Sequence, residues 1–367
     1  MIVVPGNAVY NKFWPSSKKA IRSPHKRWFS YGRHAFVSYF KYLEHQFQKI
    51  NTVWVPDYIC HEVVNSFNAY NYEVKYYPLN DELEPDLNTI ASITKEAVPH
   101  DVFLLCHFYG KIVKNLKEIS SLLTSKQIHL IEDCVHLPFA NLEISRPAHS
   151  AARMFSFRKI YPVPYGSFLV TKDEQKKFTN FLSQHIEAHV DHQTARVIRW
   201  MAREYLKSLA LRFKIPVKRK YTNLSLDPLQ PFNFAHPLVE RMIDQNDWHV
   251  CFSQRRENYV LYQQYFKPQT DWIKPFEFDI QNDCPYQFPL TLASGMERKH
   301  FVSYFLKHGV AAQFGLALHK NVLDRLPKDH HYNRHVTLPV HQGISEKEVM
   351  YVCDLLKQYE ETFISNY

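Results

Sequence analysis

Glycine is scarce in this chain, with 8 in 367 residues. That scarcity argues against a glycine-rich phosphate cradle, and neither a G-x-G-x-x-G nor a Walker A pattern occurs. Long apolar runs are also missing. None reaches the roughly 18 residues that a membrane-spanning helix requires. The opening Ile2-Val3-Val4 stops at once at Pro5-Gly6-Asn7, so no signal peptide is read there. Cysteine is limited to positions 60, 106, 134, 251, 284 and 353, never as C-x-x-C, which suits a reduced, cytoplasmic protein. No internal repeat or low-complexity segment is evident.

What is present is ordinary globular composition, 45% hydrophobic and 22% charged, but rich in aromatics, with 26 Phe and 23 Tyr. The length allows two domains and a sizeable core. A net charge of +9 favours anionic partners: a nucleotide-sugar, a nucleic acid or an acidic membrane surface. Basic residues gather at Lys18–Arg33 and Lys214–Lys220. Such runs are usually solvated faces, and no nucleic-acid motif accompanies them.

Residues 1–30 show no period and read as an arm. After Gly32, Phe36, Tyr39, Phe40, Leu43, Phe47 and Ile50 fall at helical spacing. Strands at Thr52–Val55, Val74–Leu79, Val102–His107 and Ile128–Ile131 then alternate with helices at His61–Tyr70 and Leu116–Leu123. This alternation predicts an α/β fold with a mostly parallel central sheet flanked by helices. Much of Phe178–Ala210 reads as helix, and Pro228 and Pro231 break the pattern. A long amphipathic helix through Arg255, Tyr259, Tyr262 and Phe266 leads to a smaller C-terminal α+β domain. That domain has strands at Tyr286–Leu292 and Thr337–Val340 and a helix at Glu297–Lys307. Its last helix has a capping box, Ser345-x-x-Glu348, with Val349, Val352, Leu356 and Tyr359 facing inward. The expected division is an arm at 1–30, a large domain at 31–253 and a small one at 254–367.

The organising stretch is Ile128–Val170. An apolar run ends in Glu132, Asp133 and His136, as a buried parallel strand does where it opens onto a site. Met154–Phe157 and Ser167–Thr171 read as strands, with Ser156 and Lys159 between or beside them. A Lys and an Asp on neighbouring strand ends suit pyridoxal phosphate (PLP) chemistry. The Lys forms a Schiff base, and the Asp holds a proton on the pyridine nitrogen. Strand alternation turns Glu132 to the face opposite Asp133.

Together, E-D-C-x-H, S-F-R-K followed by Gly166, and L-P-V-H-Q-G-I-S resemble the DegT/StrS-type sugar aminotransferases of PLP fold type I, from about Tyr31 to the C-terminus. The resemblance implies Lys159 as the catalytic lysine, Asp133 on the ring nitrogen and His136 near the ring's O3′. It also implies Ser156 on the phosphate and Arg33 and His34 at a phosphate-holding helix start, Y-G-R-H-A-F. Asn233, in an aromatic-Asn-aromatic segment, would reach the phosphate of a partner subunit, as in a homodimer with shared sites. The implied reaction moves an amino group from glutamate or glutamine to a keto-sugar, nucleotide-linked. This chain departs from the pattern at Arg33, Cys60, Ser167 and Ala235, and Lys159 follows Ser156 by three positions rather than five. Cys60 stands where an aromatic ring stacks on the cofactor; Tyr58 or His61 could substitute. His107, in C-H-F-Y-G, could support the cofactor or be structural. His319 and His341 match positions near the site mouth. The histidines at 330, 331 and 335 lack carboxylate or thiol partners at ligand spacing, so no metal is expected. Two other readings remain open. Related sugar dehydratases carry His in place of the Lys, and a degenerate member could bind without catalysing.

Overall fold

The computed structural model describes residues 28–137, 150–161, 163–171, 175–187, 189–190, 194–212, 233–244, 248–327 and 330–364. Most of the expected arm, most of the first basic run, all of the second, and the Pro228–Phe232 break lie outside these residues.

Six strands form the main sheet: β1 (Thr52–Pro56), β2 (Glu73–Tyr77), β3 (Val102–Cys106), β4 (His129–Asp133), β5 (Ala152–Ser156) and β6 (Ser167–Thr171). Their order is β2-β1-β3-β4-β5-β6. All neighbours are parallel except β5 and β6, which run antiparallel. Every residue of β1, β3 and β5 is buried. A strand covered on both faces is largely apolar, as T-V-W-V-P and V-F-L-L-C are, and β5 admits Arg153 only with its partner Glu132. A two-residue pair, β7 (His189–Val190) and β8 (Asn233–Phe234), stands beyond β6.

A second, antiparallel sheet of β9 (Ile273–Pro275), β10 (Phe288–Leu292), β11 (Gln313–Phe314) and β12 (His335–Leu338) has the order β11-β12-β10-β9. Helices Trp248–Tyr265, Arg298–Lys307 and Glu346–Ile364 belong to this half. The expected capping box is present in its Glu half: the Ser345 amide and hydroxyl both donate to Glu348 Oε2 at 2.8 Å, while the Glu348 amide bonds the Ser345 carbonyl at 3.0 Å. Val349, Val352, Leu356 and Tyr359 are buried, as their spacing requires. Among the described residues no helix is long and apolar enough to cross a membrane.

One expectation needs correction. The first helix ends at Gln46, so Phe47 is outside it and 54% exposed, stacked on His100. Much of Phe178–Ala210 is helical, as expected, in two helices, Gln175–His185 and Thr194–Arg212, with β7 between them paired to β8. A helix at Leu87–Glu96 was not expected; Asp86 caps it by accepting from the Thr89 amide and hydroxyl at 2.8 Å.

One turn joins the two sheets. Phe108–Gly110 follows β3, and its carbonyls accept from Cys284 and Tyr286 amides at 3.0 and 2.7 Å. Gly110 sits at φ +90°, where a Cβ would lie 1.9 Å from the Cys284 carbonyl oxygen. Only glycine allows that approach.

Candidate active site

Register sets the floor of the site. Cys106 pairs with Asp133, and Asp133 with Met154, so the carboxyl ends of β3, β4 and β5 lie side by side. A cavity of about 1000 Å³ opens above them. Asp133, His136, Ser156, Lys159 and Arg33 all line it. His34 and Asn233 do not.

Lys159 lies in the single helical turn Phe157–Ile160 that begins directly after β5, with Ser156 at its start. The three-residue spacing is therefore one turn, and it brings Ser156 and Lys159 to the same cavity. The Lys159 Nζ is 3.0 Å from His136 Nε2. Burial pushes the Lys159 amine below its ordinary value, against the opposing pull of the Asp133 carboxylate.

Asp133 is buried, which raises its carboxyl group; a charge on Lys159 would work in the other direction. Its Oδ1 accepts from the Val135 amide at 3.1 Å. Its Oδ2 has only the Cys106 thiol, at 4.0 Å, among the described residues. A buried carboxylate oxygen with spare acceptor capacity suits a cationic N–H.

Glu132 points the other way. Burial opposes its ionisation, but hydrogen bonds and charges from His107, Arg153 and Ser150 outweigh that and hold it at about 2. His107 donates through Nε2 to Glu132 at 2.8 Å, since its Nδ1 accepts from the Val113 amide. Glu132, His107 and Cys134 hold ligand-type atoms within 4.8 Å of one another. Both ring nitrogens of His107 are engaged, however, and the Arg153 guanidinium bonds Glu132 at 3.1 Å. The cluster is an ion-pair network already holding its cation. His107 thus braces the strand beneath Asp133.

At the helix start, Gly32 packs against the tip of the Met154 side chain, which a Cβ there would meet at 2.8 Å. Arg33 is buried; its guanidinium pairs with Glu62 at 3.2 Å and lies over the Tyr31 ring. The His34 amide is used within the first turn, donating to the Tyr31 carbonyl at 3.0 Å. The His34 ring is buried, lowered to about 4 by burial and by Arg33. Asn233 accepts from the Ser30 amide through its carbonyl at 2.8 Å.

Cys60 and His61 line the cavity, whereas Tyr58 is fully buried and hydrogen-bonds Tyr109. His319 caps the turn Lys320–Leu323, and His341 is buried with its Nδ1 accepting from the Gly343 amide. The sequence reading missed Phe108, Tyr165, Arg199, Trp200 and Arg203, all on the cavity wall. The last three lie on one face of helix Thr194–Arg212, at i, i+1 and i+4. A polar-aromatic cluster at that spacing was the available signal.

No family model and no curated protein matches the chain. Solved structures do. Helicobacter pylori PseC, an aminotransferase involved in the biosynthesis of pseudoaminic acid, is similar at TM-score 0.66 and 12% identity over 94% of each chain. Escherichia coli GDP-4-keto-6-deoxy-D-mannose-3-dehydratase, solved with hydrated PLP, is similar at TM-score 0.68 and 16% identity, over 97% of this chain and 100% of that one. The sugar aminotransferase CalS13 of Micromonospora echinospora is similar at TM-score 0.62 and 15% identity, over 98% and 100%. At these identities the likeness shows a shared fold, that of the sugar-modifying PLP enzymes of fold type I.

Proposed function

We propose that this chain is a PLP-dependent enzyme that transfers an amino group from glutamate or glutamine to a keto-sugar, nucleotide-linked. The observation that carries the reading is the convergence of Lys159, Asp133 and His136 on one cavity at the carboxyl ends of the parallel strands. PLP, when bound, supplies an aldehyde that condenses with amines and a ring that withdraws electrons.

The residues fit such a group. The open Oδ2 of Asp133 would hold a ring N–H. Ser156 and the main chain at Gly32–Arg33 would hold a phosphate. Lys159 would supply the amine and then, once displaced, carry a proton at Nζ between donor and acceptor carbons. Asn233, outside the cavity of a single chain, would serve a second copy, giving a homodimer with shared sites. The wall of Arg199, Trp200 and Arg203, with Arg158, suits an anionic, ring-bearing substrate such as a nucleotide diphosphate sugar. The division at about residue 253 into a large cofactor-binding and a small domain is part of the same proposal.

Solved folds of this type include a 3-dehydratase as well as aminotransferases. The lysine at position 159 supports amino transfer. The full chain incubated with PLP should develop a visible absorbance band that Lys159→Ala abolishes, and should aminate a nucleotide-linked keto-sugar with glutamate. Loss of the sugar hydroxyl without amine incorporation would turn the reading to dehydration. No band at all would end it.

A further inference from the structure

His136 is placed with unusual constraint. Its ring is parallel to those of Tyr109 and Tyr286, at interplanar angles of 7° and 6° and centroid distances of 6.0 and 4.5 Å. Its Nδ1 accepts from the Tyr109 main-chain amide at 3.1 Å. Its Nε2 is 3.0 Å from Lys159 Nζ. Tyr109 itself is held in the left-handed region, φ +53°, where a tyrosine is strained. Three bonds hold it there. Its carbonyl accepts from the Tyr286 amide at 2.7 Å, its hydroxyl shares a hydrogen with Tyr58 at 2.7 Å, and the Tyr58 hydroxyl accepts from the Leu316 amide at 3.0 Å.

An amide N–H can only donate. Nδ1 must therefore offer its lone pair, and the neutral ring carries its proton on Nε2. A protonated lysine could not bond this Nε2, because the ring would then need two lone pairs and become an anion. The contact is satisfied in one way, with Nε2–H donating to the lone pair of an uncharged amine. We infer that Tyr109 and His136 form a positioning pair that fixes the Nε2–H tautomer and holds Lys159 as the free amine, the form that can attack a carbonyl. The strained tyrosine is what aims the amide at the ring.

Other groups act on Lys159 from every side. Asp133, Cys60 and Cys106 favour its charged form, while Arg158 and burial disfavour it. His136 is itself buried, and burial keeps its ring neutral. The inference does not rest on the identity of the cofactor or substrate, so its test is run without either.

In the full chain freed of bound aldehyde and labelled with 15N-histidine, the His136 resonances, assigned by their loss in His136→Gln, should show a bare Nδ1 and a protonated Nε2. A proton on Nδ1 would overturn the inference with no variant having to fold. Acetic anhydride labelling of Lys159 against pH, read by mass spectrometry, gives the second readout. His136→Phe keeps the stacked ring but loses the donor, and should raise the labelling midpoint by about one pH unit. His136→Gln, which can still donate, should return the midpoint to near wild type. An unmoved midpoint in His136→Phe, or equal shifts in both variants, would assign His136 a merely structural part.

Discussion

Glu132 and Asp133 are chain neighbours with opposite duties, because a strand sends successive side chains to opposite faces. Glu132 pairs with the Arg153 guanidinium and accepts from the His107 ring N–H, and Asp133 opens onto the cavity. Asp133→Asn should leave the thermal midpoint unchanged or higher, since burying a carboxylate is costly. The same variant should lower turnover about 100- to 1000-fold. Glu132→Ala should do the reverse, removing about 3–5 kcal/mol of stability in urea titration by stranding a buried guanidinium and a buried imidazole N–H. The pH dependence follows from the same groups. Glu132 titrates near 2, below its usual 4.5, so its contribution is present above 4.5 and lost as pH falls toward 2. His335, fully buried with no hydrogen-bond partner for either ring nitrogen among the described residues, is pushed by burial to about 3. Its folded value lies below 6.5, so stability is complete above 6.5 and declines as pH drops toward 3. His335→Phe should flatten that decline in acid unfolding curves. Lys159, Asp133 and His136 were legible because they sit in short local motifs. Tyr109 was not, because its part depends on where a main-chain amide points.

The strands were readable as elements because doubly covered strands are written as unbroken apolar runs. The short antiparallel strands β9 and β11, of three and two residues, were too brief to show a period. The Leu87–Glu96 helix was readable and overlooked: D-x-x-T at Asp86 is an N-cap signature. Asp86→Ala should cost about 1 kcal/mol, measured by denaturant unfolding. Gly110→Ala tests the turn that ties the two sheets. A Cβ would strike main chain rather than a movable side chain, at a backbone angle that suits glycine. The loss should exceed about 2 kcal/mol, and activity should fall with it because Tyr109 is the preceding residue.

For the whole molecule, the α/β class and the two-sheet plan followed from the spacing of predicted elements. The cavity wall from helix Thr194–Arg212 did not, since which helix face meets the cavity is decided by tertiary packing. If that wall holds an anion, Arg203→Glu should raise KM for a nucleotide-linked substrate several-fold, and salt from about 0.05 to about 0.5 M should weaken wild-type binding in the same direction. One further consequence lies at the sheet's rims. Phe29 exchanges main-chain bonds with Ser167 and bridges onward to Phe234, so β6 is seamed to β8 rather than left bare. At the far rim, β2 carries Glu73 and the ion-paired Lys75. A paired strand at one border and charges at the other are devices that discourage edge-to-edge pairing with another chain. Phe29→Pro, which deletes one of those seam donors, should make the chain scatter light at concentrations where the parent stays clear.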